Sequence, residues 1–264
     1  YVFQADLKAS DGWTIGAHMA RLGDSTMLED LKFGLKPAQI VCFILRHGYD
    51  RLAKTTRSEA KELLKEVKKE DQDYFICKQL IWGACYLMGP RKAAEQVFKE
   101  TYGKINLTEK EAKAFQASVF VRYRVKLWHD WMSRFLSKQP YPPKLTSASG
   151  HTRKFFGRSR EILGKALSHE PQAVTTYATN LAAYNLWMDK ENRDGNKLKV
   201  EPLHQVHDAL VGQFKITDLE FAKVKIKQWF NNTIIIAGIP IVIPYSGTYG
   251  TNWSFDEKSM VGEI

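Results

Sequence analysis

Apolar and polar residues alternate through residues 1–7 (YVFQADL), the period of a half-buried strand, and Asp6 falls at its end. The period then lengthens. Residues 9–31 place Trp13, Ile15, Ala17, Met19, Ala20 and Leu22 in a helical pattern, and residues 31–67 read as helix throughout, with Ile40, Phe43, Ile44 and Leu45 as the apolar stripe. Within that stretch, residues 59–70 (EAKELLKEVKKE) alternate in charge, as a solvated helix face rich in i,i+4 pairs does. Another helix is predicted over residues 73–92 (DYFICKQLIWGACYLMGPRK), until Gly89 and Pro90 break its pattern. Residues 114–136 form one aromatic and basic helical segment, closed by the proline-rich QPYPPK at 139–144. Residues 145–158 (LTSASGHTRKFFGR) then read as a hairpin turning at Gly150.

The final third opens with a helix over residues 170–188 whose start carries Pro171 and Gln172. A polar turn, NRDGNK at 192–197, leads to a strand pair over residues 202–214 (PLHQVHDALVGQF), which holds His207 and Asp208 between two apolar halves. Residues 218–230 predict an amphipathic helix, and residues 234–245 a last strand or two covering the sheet. The longest apolar run, IIIAGIPIVI at 234–243, is ten residues long and interrupted by Gly238 and Pro240, too short to span a bilayer. No membrane partner is therefore expected.

Within the helix over 73–92, Lys78, Trp82 and Tyr86 recur at i, i+4 and i+8, so a cation and two aromatic rings share one face. Gly83 beside them costs about 1 kcal/mol relative to alanine in a helix, which predicts a close approach to the backbone there. A nucleotide fits such a face, with its phosphates on the lysine and its sugar and base on the rings. An ordinary amphipathic helix with a snorkelling lysine is the plainer alternative. His204 and His207 have an H-x-x-H spacing, but residues three apart on a strand face opposite ways and cannot readily share zinc.

Composition narrows the class without choosing the activity. A chain of 264 residues with 44% hydrophobic and 12% aromatic content can bury a sizeable core. Lys and Arg number 39 against 29 Asp and Glu, a formal charge of +10 that favours a polyanionic partner. Cys42, Cys77 and Cys85 are odd in number and give neither a disulfide framework nor a zinc ligand set, so a reducing, cytoplasmic setting is expected. The chain opens at Tyr1 within a strand pattern and without Met, as a fragment, a processed product or half of a split polypeptide does.

In this order, the strand-end Asp6, the Lys78 helix and the His207-Asp208 strand pair resemble the three motifs of the family A DNA polymerases, the class of bacterial DNA polymerase I and its phage and mitochondrial relatives. The resemblance implies an α+β fold: a palm with a small antiparallel sheet, built from residues 1–29 and 151–264, and an inserted helical fingers subdomain over residues 30–150. It implies primer-template DNA and dNTPs as partners, and an N-terminal polypeptide or removed segment that supplies thumb and exonuclease. Asp6 and Asp208 would hold two Mg²⁺ ions, with Mn²⁺ as the alternative, and Lys78 would act on the transferred phosphoryl group. Asp11 matches the position of the residue that excludes a ribose 2′-hydroxyl, while Trp82, Gly83 and Tyr86 would face the nucleotide. Arg153, Lys154 and Arg158 resemble the segment lying along primer and template. Gln172 would contact the duplex minor groove, and His207 the primer terminus.

Some positions depart from the family pattern. The sugar-gate carboxylate is an aspartate where the family has glutamate, which weakens the expectation of strict sugar selection. Tyr74 stands where an arginine grips the distal phosphates, Ala38 near where a histidine does, and Ala209 where a glutamate often follows the second aspartate. Arg46, His47, Arg51, Lys68 and Lys69 are the nearby cations that could compensate. Two rival readings remain open on these residues. One is a catalytically degenerate polymerase module kept as a nucleic-acid-binding subunit. The other is a relative of the single-subunit RNA polymerases, against which the acidic Asp11 argues.

Overall fold

The structure is a computed structural model that describes residues 1–254 and 259–264. Its elements begin with β1 (Val2–Leu7), followed by helices α1 (Ser10–Arg21), α2 (Thr26–Lys32), α3 (Pro37–His47), α4 (Asp50–Ala53), α5 (Arg57–Leu63), α6 (Gln72–Cys85), α7 (Pro90–Glu100), α8 (Glu109–Arg122) and α9 (Lys126–Ser137). A short hairpin follows, β2 (Lys144–Thr146) and β3 (Thr152–Lys154), then the long helix α10 (Ser159–Met188). The remainder is β4 (Arg193–Asp194), β5 (Lys197–Leu198), β6 (Val200–Val206), β7 (Ala209–Phe214), α11 (Leu219–Phe230), β8 (Thr233–Ile236), β9 (Ile239–Val242), β10 (Tyr245–Gly250) and β11 (Met260–Glu263). The protein is α+β, with a small antiparallel sheet. It divides into two compact units, one of residues 1–10, 147–151 and 171–264, the other of residues 11–146 and 152–170.

The first unit is built on a five-stranded sheet in the order β11-β10-β1-β7-β6. Its central strand owes its place to the alternation of the first residues: Phe3, Ala5 and Leu7 are buried, while Val2, Gln4 and Asp6 take the half-exposed face. β1 is antiparallel to both neighbours, with Asp6 opposite Ala209 on β7 and Ser246 on β10. α11 carries Ala222, Ile226, Trp229 and Phe230 into the core, and the Phe230 ring packs on Tyr245 at 4.7 Å. Its indole and ammonium groups tie it to the end of α10, where Asp189 accepts from Trp229 Nε1 at 2.9 Å and pairs with Lys225 at 3.0 Å. The run over 234–243 forms a separate two-stranded sheet, β8-β9, instead of covering the main sheet, and the strands beside β1 are β7, from earlier residues, and β10, from later ones.

The second unit is helical: α6 and α8 pack on each other and on both α3 and α7, and Ile40, Phe43, Ile76, Leu80, Ile81, Val97, Phe115 and Val119 on these helices are buried. Several predicted boundaries are corrected here. The helix expected throughout residues 31–67 is four short helices and a single 3₁₀ turn, because Gly34 (φ 81°) and Gly48 (φ 80°) take left-handed backbone and Thr56 starts α5 afresh with a capping box. The single segment over 114–136 is two helices, parted at Tyr123, Arg124 and Val125. The helix expected to start at Glu170 runs from Ser159, and Pro171 lies in its interior, where it removes one backbone donor.

Asp30 forms a polar centre in this unit that the sequence pattern did not announce. Fully buried, it accepts from Arg122 at 2.9 Å, from Arg57 Nε at 3.1 Å and from the Tyr123 hydroxyl at 3.3 Å. Removing one member of a buried ion pair strands the other and costs about 3–5 kcal/mol. Asp30→Ala is therefore expected to lower unfolding stability by about that amount in urea titration, and a loss below about 1 kcal/mol would show that the guanidinium groups find water instead.

Candidate functional site

In the first unit, one predicted carboxylate lies on a strand and the other in the turn that enters the neighbouring strand. Asp6 ends β1 on its half-exposed face, and Asp208 occupies the tight turn between β6 and β7. Two hydrogen bonds fix the Asp208 backbone: its carbonyl accepts from the Leu7 N–H at 3.2 Å and from the Thr179 hydroxyl of α10 at 3.3 Å. His207, the first residue of that turn, is exposed and takes φ 53°, an unfavourable left-handed conformation for a non-glycine residue. Strain of about 1–3 kcal/mol persists where the surroundings over-determine it, and such positions cluster at sites that act. His204 lies on β6 and is exposed as well.

In the second unit, α6 keeps Lys78 exposed and Trp82 half-buried, but Tyr86 is no longer on the helix. α6 ends at Cys85, so the expected three-residue face over i, i+4 and i+8 loses its last member to the C-cap. The stop is made by Leu87, left-handed at φ 62°, with Met88 N–H returning to the Gly83 carbonyl at 2.8 Å and Leu87 N–H to Ala84 at 3.2 Å. His129 Nε2 bonds the Cys85 carbonyl at 2.7 Å, and burial holds that imidazole's pKa down, so it serves as a neutral donor. The close approach predicted at Gly83 is made by Met88, whose terminal methyl would lie 2.6 Å from a Cβ there. Gly83 is thus assigned to packing, not to the nucleotide.

This ending aims Tyr86 at α1. Its hydroxyl donates to Asp11 at 2.7 Å, and burial first, then the Asp11 charge, push the phenol pKa well above its usual value. Tyr86 therefore stays a protonated donor that orients the Asp11 carboxylate at the start of α1, where the helix dipole also favours negative charge. Trp82 lies over α1 too, its ring 2.6 Å from where a Cβ on Gly12 would stand. Asp11, Trp82 and Tyr86 form one cluster, in which the bonded pair Asp11 and Tyr86 stand 75 positions apart in the sequence.

Tyr74 sits one turn before Lys78, half-buried, and burial raises its pKa. Of the cations named as substitutes for an arginine there, Arg46 is held by Asp71 at 2.7 Å and by Asp73, His47 lies 3.3 Å from Glu66, and Arg51 lies 3.9 Å from it. Lys68 and Lys69 are exposed.

No protein-family model matches this chain, and no curated protein does. Solved structures do match. One is the POL domain of Pol1 from M. smegmatis, in complex with DNA primer-template and dNTP: the TM-score is 0.68 at 18% identity, over 96% of this chain and 40% of that one. The fold is that of a DNA polymerase domain. The chain spans well under half the length of that relative.

Within this polymerase fold the predicted hairpin is present: β2 and β3 pair with Lys144 opposite Lys154 and Leu145 opposite Arg153, around a turn at 147–151. Arg153, Lys154 and Arg158 are exposed, and the Arg153 guanidinium lies 5.4 Å over the Phe155 ring. Tyr141 and Phe156, 70% and 64% exposed, meet edge to face at 6.3 Å beside these cations. Sequence reasoning passed over these two rings, although large aromatics in a polar, proline-rich stretch were the available signal. Gln172 is exposed on α10 in the other unit.

Among the described residues, no group of three or more His, Cys, Asp or Glu side chains could hold an ion by itself. Asp6 at the end of β1 and Asp208 in the turn bonded to the adjacent Leu7 N–H instead offer hard oxygen ligands, the donor type that suits Mg²⁺ with phosphate and water in its other places. The residues fit.

Proposed function

We propose that the protein is a template-directed DNA polymerase that transfers the nucleotidyl group of a dNTP to a primer 3′-hydroxyl. The observation that carries this reading is the placement of Asp6 at the end of β1 and of Asp208 in the turn that enters β7, the strand paired with β1, with the Asp208 backbone fixed from β1 and from α10. The polymerase-domain fold supports it independently. In the proposed arrangement, residues 1–29 and 151–264 serve as palm and residues 30–150 as fingers.

Asp6 and Asp208 would hold two Mg²⁺ ions, which when bound supply activation of the 3′-hydroxyl and neutralisation of the pyrophosphate leaving group. The chain's own groups do the rest. Lys78, exposed on α6, balances negative charge developing on the transferred phosphoryl. Tyr86 holds the Asp11 carboxylate in place, and Asp11 excludes a 2′-hydroxyl from the sugar position. Arg153, Lys154, Arg158, Gln172 and His207 contact the primer-template, mostly through phosphates, which fixes register without reading sequence.

The test is primer extension with dNTPs and rNTPs compared in Mg²⁺. Extension with dNTPs is expected, and none with either class would sink the reading. A second prediction concerns the gate. Bulk exclusion of a hydroxyl is worth at most about a hundredfold, so Asp11→Ala should raise ribonucleotide use relative to deoxynucleotide use by up to about that factor. An unchanged ratio would remove Asp11 from the sugar site.

A further inference from the structure

The exposed side of α9 is unlike an ordinary solvated helix face. Trp131, Arg134, Phe135 and Lys138 fall at i, i+3, i+4 and i+7, so they form one stripe, while Trp128, His129 and Met132 take the buried side. The Trp131 and Phe135 rings are stacked, with centroids 5.2 Å apart and planes 16° from parallel. Arg21, at the last turn of α1, places its guanidinium 5.8 Å from the Trp131 ring centre. Phe135 is 37% exposed, and Arg21, Arg134 and Lys138 are all exposed.

A ladder of flat rings edged by three cations matches one kind of ligand. Unpaired nucleic acid presents bases that stack on aromatic faces, and phosphates whose charge the flanking cations meet. A duplex has its bases already stacked on each other and offers none to such rings. A protein interface is enriched in aromatics and arginine but depleted in lysine, and it does not call for a row of cations along the rings. From this geometry we infer that the α9 face, centred on the exposed Phe135 ring with the half-buried Trp131 stacked against it, is a binding surface for single-stranded nucleic acid. Its occupant in function is the unpaired template strand, an assignment that rests on the polymerase reading above.

The experiment uses the whole chain and a fluorescent oligothymidylate, with anisotropy measured over a series of salt concentrations. Stacking on one aromatic ring makes Phe135→Ala bind at least about fivefold more weakly, while Phe135→Tyr, which keeps the ring, binds like the parent. Replacing Arg134 and Lys138 with Gln lowers the salt slope by about 0.7 for each cation. Affinity for a blunt duplex is unchanged in every variant. Single-strand binding by Phe135→Ala within about twofold of the parent would overturn the inference, as would a Phe135-dependent self-association in sedimentation. The arms separate the two proposals. A chain that binds single strands through Phe135 yet adds nothing to a primer keeps the surface and loses the polymerase reading. A chain that extends primers while Phe135→Ala binds single strands normally does the reverse.

Discussion

Asp208→Asn is expected to lower nucleotide addition by at least about a thousandfold, more than the loss of one neutral electrostatic donor costs. The substitution preserves shape and removes only the charge, at a position whose backbone is fixed by the Leu7 N–H and the Thr179 hydroxyl rather than by its own carboxylate. Folding should therefore survive, and circular dichroism with duplex-binding measurements checks that it does. Asp6→Asn should behave alike. On the proposed reading the two carboxylates act as a unit, so the double variant should lose scarcely more than either single one. A rate within tenfold of the parent, roughly 1.4 kcal/mol of barrier, would mean that these aspartates hold no catalytic ion.

Lys78→Ala carries the second large effect. Its charge matters most while phosphoryl charge develops, so the loss should appear in the rate of incorporation, by about a hundred- to a thousandfold, and hardly in duplex affinity. Lys65, whose side chain is 70% exposed and paired only at the surface with Glu62, is the control. Its replacement by Ala should change little, because exposed ion pairs are worth about 0–1 kcal/mol. Arg46 is committed to Asp71 and Asp73, and a tyrosine precedes Lys78 by one turn, so Lys78 carries much of the triphosphate charge under this reading. Single-turnover incorporation decides the matter. A rate within a few-fold of the parent would leave α6 as a packing helix.

What the sequence made legible is what period and turn chemistry control. The alternation of residues 1–7 became the burial pattern of β1, and the His207-Asp208 turn fell between β6 and β7 as the two apolar halves required. The end of α6 was hidden because Tyr86, Leu87 and Met88 prolong an apolar helical pattern. The stop depends on a left-handed Leu87 and on Met88 folding over Gly83, neither of which propensity reveals. That hidden turn also concealed the bond from Tyr86 to Asp11. Pro171 misled in the opposite direction, since a proline preferred at a helix start lies within α10. β10 (YSGTYG) has no alternation to recognise; β1 on one side and β11 on the other supply the hydrogen bonds that make it a strand.

Templated choice is the property that separates a polymerase from a protein that merely binds nucleic acid or transfers nucleotides without guidance. The direct measurement offers each of the four dNTPs singly, in Mg²⁺, to a primer paired with templates that differ only in the next unpaired base. The account predicts that the parent chain adds the complementary nucleotide in each case and that Asp208→Asn adds none. Addition of all four at similar rates, or no addition by the parent chain, would contradict it.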